Sequence, residues 1–184
     1  ARSNNNSAEA GLKYFLFGAA TSGIMLYGFS ILYGITGETN FVNIAEVLLS
    51  GDVALSAVLG IAMLVLVGIG FKIAIVPFHF WAPDVYEGSP TPVTGFISTA
   101  SKTAGFAILI RFFIVGFTGS EYWLPIVAVL AVITMTFGNL VALAQTNIKR
   151  LLAYSSIAHA GYVLIAFVAY SDLGVASAVF YLIT

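Results

Sequence analysis

FKIAIVPFHFWAPDVYEGSPTP, residues 71–92, sets Lys72 inside a strongly apolar run, with Pro77 and His79 within seven residues of it. From Val53 to Ala82 the chain carries no other fixed charge. A straight helix of that length would measure about 45 Å, against roughly 30 Å of bilayer hydrocarbon. It must therefore tilt or break. Gly68 and Gly70 precede the lysine, and Pro77 lacks a backbone donor and crowds the turn before it. A break between Lys72 and Pro77 is expected. Interrupted helices at membrane depth persist only where they are buried in protein or line a wet cavity, and half-helix ends near the midplane recur in transporters. One reading makes Lys72 a hydrated group inside the bundle; the other ends the span early and leaves Lys72 snorkelling to the interface.

The rest of the chain supports a membrane reading. Of 184 residues, 60% are hydrophobic and 8% charged, and the mean hydropathy is +1.01, far from the roughly 25% charged composition of soluble domains. Apolar blocks fall at Ala10–Gly34, Val53–Phe80, Val93–Gly116, Tyr122–Ala144, Leu151–Tyr170 and from Gly174 to Thr184. The expected fold is an all-α, polytopic bundle of about six transmembrane helices, the last incomplete. The alternation of a membrane β-barrel is missing. Phe41–Leu49, in the polar connection Gly37–Asp52, reads as a short amphipathic helix in the interface.

Several functions are disfavoured by composition. With no cysteine, thiolate zinc sites and cysteine-ligated iron–sulfur clusters are excluded, and two histidines eighty residues apart give no reason to expect a metal. A net charge of −1 without a basic stripe argues against nucleic acid. GIGF at 68–71 lacks the third glycine and the preceding strand of a dinucleotide fingerprint. The polar ARSNNNSAEA start does not resemble a signal peptide, and the chain reads as beginning inside a larger protein.

Arg2, Lys13, Lys149 and Arg150 fall on the side of the N-terminus and only Arg111 on the other, so the N-terminal side is expected to be cytoplasmic. The aromatic pairs Trp81 with Tyr86 and Tyr122 with Trp123 are expected at the headgroups. Gly18, Ser22 and Gly23 on the first span would admit a close helix neighbour.

Against this map the ionisable residues stand out. Lys102 lies midway along its span with apolar or small neighbours for nearly three turns on either side, at a cost of roughly 2.5–3.5 kcal/mol on insertion scales. It is either a working group or an amine tied to carbonyls or a carboxylate for packing. His159 is also near mid-span. Ser155, His159 and Tyr162 share its helix face at i, i+4, i+7, and a histidine titrates near neutrality, so His159 reads either as a relay or as a hydrogen-bonded neutral ring. His79 would face the same way as Lys72 only if the helix ran on. Lys13 lies four residues after Glu9, the favourable order for an ion pair, close enough to the span start to be an anchor. A desolvated amine gives up its proton nearer neutrality than one in water, whereas arginine stays charged. Lysines and a histidine in file are suited to passing protons.

Residues 71–106, FKIAIVPFHFWAPDVYEGSPTPVTGFISTASKTAGF, with EAGLKYFLFGAATSGIMLYG (9–28) and QTNIKRLLAYSSIAHAGYVLI (145–165), resemble the antiporter-like N subunits of proton-pumping NADH-quinone oxidoreductase, respiratory complex I. The resemblance covers nearly the whole chain. The Lys, Pro and His pattern is common to the sister M and L subunits and to cation/proton antiporters, while PDVYEG and SSIAHAGY are closest in wording to subunit N. It implies a protein of about fourteen spans with inverted repeats and discontinuous helices, of which residues 1–184 are one internal fragment. Lys72 and Lys102 would lie on the central proton path, with Lys13, His79 and His159 auxiliary to it. The glutamate that pairs with the broken-helix lysine would lie upstream of Ala1 and a distal lysine beyond Thr184; Glu9 does not occupy that position. No cofactor is expected in this chain. NADH, FMN, iron–sulfur clusters and quinone would belong to partner subunits, the membrane partners being antiporter-like M and small K- and J-type subunits. A bacterial plasma membrane is the expected location. A stand-alone cation/proton antiporter and a non-transporting helical scaffold are the alternatives.

Overall fold

The computed structural model describes residues 5–50, 53–117 and 121–184; Arg2 and Asp52, used above to judge sidedness and a loop boundary, lie outside them. The described residues form helices and their connections, with no strand. Helix α1 (Asn5–Thr36) is followed by α2 (Phe41–Leu49), α3 (Leu55–Ile73) and α4 (Trp81–Gly88). A composite rod comes next: α5 (Thr91–Phe96), a π-helical turn (Ile97–Ser101), α6 (Lys102–Ile110) and a second π turn (Arg111–Val115). After a 3₁₀ turn (Glu121–Trp123) come α7 (Leu124–Leu143), α8 (Ile148–Val168) and α9 (Asp172–Ile183). Among the described residues five segments are long and apolar enough to cross a membrane, namely Ser7–Thr36, Leu55–Ile73, Thr91–Val115, Leu124–Leu143 and Ile148–Val168. Helix α9 is the shorter sixth.

Local chemistry sets the ends. Asn40 accepts from the Val42 amide at 2.9 Å to start α2, Asn147 accepts from Lys149 N–H at 2.9 Å to start α8, and Ser171 accepts from Gly174 N–H at 3.1 Å to start α9; each satisfies a helix donor that has no partner within its own helix. Helix α2 buries Ile44, Ala45 and Leu48 on one face, as its pattern requires.

The long apolar run breaks where expected, but earlier and more fully than a proline kink alone would make it. Helix α3 stops at Ile73, and Ala74 takes a left-handed conformation (φ 58°, ψ 47°). Ile75 N–H bonds Gly70 O at 3.1 Å and Ala74 N–H bonds Phe71 O at 3.2 Å, the paired closure of a Schellman end. An alanine at positive φ is strained where glycine would not be. Two buried side chains satisfy further backbone groups of the break. Thr134 on α7, fully buried, accepts from Val76 N–H at 3.1 Å, and the Trp81 indole donates to Phe71 O at 2.9 Å. Without Thr134 the Val76 N–H would lie unpaired in an apolar interior, and without Trp81 the Phe71 carbonyl would keep only its bond from Ala74.

Helix α1 packs along α3, α7 along α8, and α4 wedges between α1 and α8. Since lipid is as apolar as the helices, close packing rather than water exclusion drives association. Small residues mark the contacts. A Cβ on Gly138 of α7 would meet the Ala158 backbone nitrogen of α8 at 2.7 Å, and one on Gly161 would meet Met135 N at 2.8 Å. On α1 the close approaches are at Gly18, against Phe71, and Gly28, against Leu64 and Val65; around Gly23 the space is open. Substituting Gly138→Leu is therefore expected to part α7 from α8 at a cost of about 1–3 kcal/mol or more, seen as a lower thermal midpoint for the full-length protein in detergent.

One expectation is corrected. Trp81, Tyr86 and Trp123 are 1–2% exposed and so do not serve as headgroup anchors: Trp81 is held by the broken helix end, and Trp123 stacks on Phe113 and Phe167. Only Tyr122 of the two pairs is exposed, at 62%. The connection between the apolar blocks Val53–Phe80 and Val93–Gly116 is itself partly helical, with Asp84 and Glu87 on α4.

Candidate functional site

Lys102 opens α6 immediately after the first π turn, whose extra residue resets the face that the following helix presents. Its side chain is 5% exposed. The ammonium donates to two oxygens of one residue on α8, Ser156 O at 2.8 Å and Ser156 Oγ at 2.7 Å. Among the described residues it makes no ion pair with a carboxylate. A cavity of about 140 Å³ adjoins it, lined by Ser98, Thr99, Ser156, His159 and Tyr181 among others. At about 30 Å³ per water in the liquid, that is room for several molecules with polar partners.

His159 lies on the same cavity, its Nδ1 2.5 Å from Tyr181 Oη, and its ring meets Tyr162 edge-on at 5.6 Å. Tyr162 accepts from Asn139 Nδ2 of α7 at 2.7 Å. The expected face of Ser155, His159 and Tyr162 thus divides: Ser155 and His159 line a cleft of about 400 Å³, while Tyr162 is held by α7. That cleft also includes Thr91, Thr94, Lys149 and Ser156, so it extends from the start of α8 to the depth of Lys102.

Lys72 sits in the last turn of α3, where unpaired carbonyls favour a cation. Unlike Lys102 it is exposed on this chain. Its ammonium donates to Tyr14 Oη of α1 at 3.2 Å and lies 5.5 Å from that ring's centre, within cation–π range. Helices α3 and α6 touch close to both lysines in sequence: a Cβ on Gly105, three residues after Lys102, would meet Ile73 Cγ2 at 2.6 Å and Lys72 Cβ at 3.4 Å. The extended-helix reading of His79 fails: the turn at Ala74 redirects the chain, and His79, 4% exposed, packs on Phe80 and on Phe137 of α7. Its Nδ1 makes no hydrogen bond among the described residues.

Lys13 belongs to a different cluster. It pairs with Glu9 at 2.7 Å and Asp84 at 2.6 Å; Arg150 binds Asp84 at 2.7 Å and Glu87 at 3.1 Å; and Lys149 donates to Ser89 O at 2.8 Å. The network ties α1, α4 and α8 at one end of the bundle. Burial pushes the Asp84 carboxyl up, but hydrogen bonds from Lys13 and Arg150 outweigh it and hold the group below the usual carboxylate range. A lowered acid contributes stability that is present above its unfolded pKa near 4 and is lost as pH falls through the folded value. Asp84→Asn is therefore expected to lower the thermal midpoint at neutral pH, by on the order of 1 kcal/mol for this partly exposed network. As pH falls through the folded value of Asp84 the two proteins should converge, which a melting series against pH would show.

Tyr14, Ser156 and Thr134 were not singled out from sequence. Ser156 adjoins the predicted Ser155 and is three residues from His159, the other spacing that shares a helix face.

The transmembrane family model described as NADH:quinone oxidoreductase/Mrp antiporter matches residues 1–184. Subunit N 2 of the NADH-quinone oxidoreductase of Chloroherpeton thalassium is 52% identical over 185 residues, covering 96% of this chain and 36% of its own length. A chain of the Thermus thermophilus respiratory complex I is similar with a TM-score of 0.78 at 41% identity, over 97% of this chain and 38% of that one. For a chain of the Mrp complex from a Dietzia species the TM-score is 0.88 at 27% identity, over 97% and 33%. The chain spans about a third of the length of these relatives. A match to the family model over the whole of this chain, together with the α3–α4 break after Lys72 and the buried Lys102 of α6, means that this chain belongs to the NADH:quinone oxidoreductase/Mrp antiporter family of transmembrane proteins.

Proposed function

We propose that residues 1–184 form part of an antiporter-like, proton-translocating N-type subunit of a membrane NADH-quinone oxidoreductase. The single observation that carries this reading is Lys102: an amine at mid-span, buried, held by Ser156 oxygens rather than by a carboxylate, and bordered by a cavity. A carboxylate partner would hold the proton on the amine; neutral oxygens and room for water leave it free to be released. Lys72 would be the second carrier, poised at the end of α3 beside Tyr14, and His159 an auxiliary group on the Lys102 cavity. Lys13 serves this path indirectly, by holding α4 through Asp84, and His79 remains the least connected of the five candidates. NADH, FMN, iron–sulfur clusters and quinone would be held by partner subunits, with M-type and small K- and J-type subunits as membrane neighbours. The basic end, with Lys13, Lys149 and Arg150, would face the cytoplasm of a bacterial plasma membrane.

Inside-out vesicles holding the complete complex test the reading. NADH with a quinone should acidify the lumen, and removal of the full-length subunit should diminish the acidification per NADH oxidised; an unchanged ratio would overturn it. The likeness to a Mrp complex chain supports a second reading, sodium/proton exchange. It predicts a sodium-driven pH change without NADH, which the first reading does not.

A further inference from the structure

We propose that Ser156 is the residue through which Lys102 gains and loses its proton, and that Tyr86 of α4 positions the Ser156 hydroxyl for this transfer. The inference rests on the proton-translocating reading above and goes beyond it in assigning a chemical role to an α8 hydroxyl.

Three observations lead there. Ser156 is the residue that holds the Lys102 ammonium, through its carbonyl at 2.8 Å and its hydroxyl at 2.7 Å. The same hydroxyl lies 3.5 Å from Tyr86 Oη, so Ser156 stands between the amine and the second half of the broken helix. It also lines both the cleft of about 400 Å³ that reaches Lys149 and the cavity of about 140 Å³ that holds Lys102, His159 and Tyr181. A hydroxyl is both donor and acceptor. The carbonyl can only accept, so it anchors the amine while the hydroxyl exchanges protons.

The step balances without any other reagent than water. With Lys102 neutral, the Ser156 Oγ–H bond breaks as an Nζ–H bond forms, while a hydrated proton in the larger cleft forms a new O–H bond on the same oxygen. One proton has moved from cleft to amine, and the serine is unchanged. In the reverse sense Nζ–H breaks, Oγ takes that proton, and the original hydroxyl proton passes to water in the smaller cavity. Tyr86 is 1% exposed, and a phenol ordinarily keeps its proton at neutral pH, so it orients Ser156 rather than exchanging its own proton. Because α4 is also held by Asp84 and Glu87 to Arg150, the position of Tyr86 depends on the broken helix as a unit.

The test uses the full-length subunit in its complex, in inside-out vesicles matched for assembled complex by native gel. Ser156→Ala should lower NADH-driven proton uptake about tenfold, modest for loss of a proton-transfer group, and Ser156→Thr, which keeps the hydroxyl, should restore at least half. Tyr86→Phe keeps the ring against Trp81 and should lower uptake about threefold, and the double variant should be no worse than Ser156→Ala alone because the tyrosine acts only through the serine. Uptake within twofold of wild type for Ser156→Ala, failure of threonine to rescue, or multiplicative losses in the double variant would overturn the proposal. Lys102→Met in the same membranes separates the two levels. Normal uptake there removes the proton-translocating reading itself, whereas a dead Lys102→Met beside a normal Ser156→Ala removes only the serine's role.

Discussion

Lys102→Met in the complete subunit is expected to abolish NADH-driven proton uptake, with at most a tenth of the wild-type rate remaining, a loss of at least about 1.4 kcal/mol in the limiting barrier. Methionine approximates the length and bulk of the lysine stem, so packing around α6 should survive. What disappears is the amine held by Ser156, and with it the exchange between amine and cavity. Lys102→Arg should fail nearly as completely. Arginine keeps its charge at every relevant pH, and its planar fork of five donors does not match two oxygens of a single serine. A scaffold reading makes the opposite prediction: arginine would retain function and methionine would lower assembly. Proton uptake and native-gel abundance, measured on the same vesicles, separate the two.

Lys72 carries the second large effect. Lys72→Met should reduce uptake several-fold to more than tenfold, of the order seen when a proton-transfer group is lost, and Lys72→Arg should not rescue it. The contrast with Lys102 is in the surroundings. Among the described residues the Lys72 ammonium meets the Tyr14 hydroxyl and ring at the carbonyl end of α3, and methionine keeps the length of the lysine stem, so assembly should be unaffected. An anchor that snorkels to the interface would tolerate arginine; a group that must alternate between charged and neutral would not. Quench-matched uptake rates for the two variants decide between anchor and carrier.

How much of this was legible in the sequence depends on the range of the forces involved. Local signals were readable. The amphipathic Phe41–Leu49 emerges as α2, and the break after Lys72 could be argued from two glycines, a proline and an overlong apolar run. The consequences of the break were not readable, because they rest on contacts across the fold. The left-handed Ala74 turns the chain so that His79 meets Phe137 instead of following Lys72. Thr134, 58 residues away in sequence, supplies the acceptor for Val76. Trp81 and Tyr86 have the amphipathic character of headgroup anchors, yet inside the fold they meet the Phe71 carbonyl at the helix end and a serine on α8.

The site shows the same division. Mid-span placement pointed to Lys102 and His159, and they do share a cavity. Glu9 and Lys13 pair as their spacing requires, but Asp84, 71 residues on, makes the shorter contact with Lys13 and links that pair to Arg150. Only tertiary structure turns four separated charges into one network, and only it distinguishes Ser156, which faces Lys102, from Ser155 beside it.

The central claim is that amines deep in the bundle are wet enough to exchange protons. A structure of the intact complex at a resolution that shows ordered solvent tests it most directly. The account predicts water between Lys102, Ser156 and His159, continuous with the cleft toward Lys149, and water reaching Lys72. Lys102 packed in a dry site, or both amines turned outward to phospholipid headgroups with no internal path to either, would contradict it.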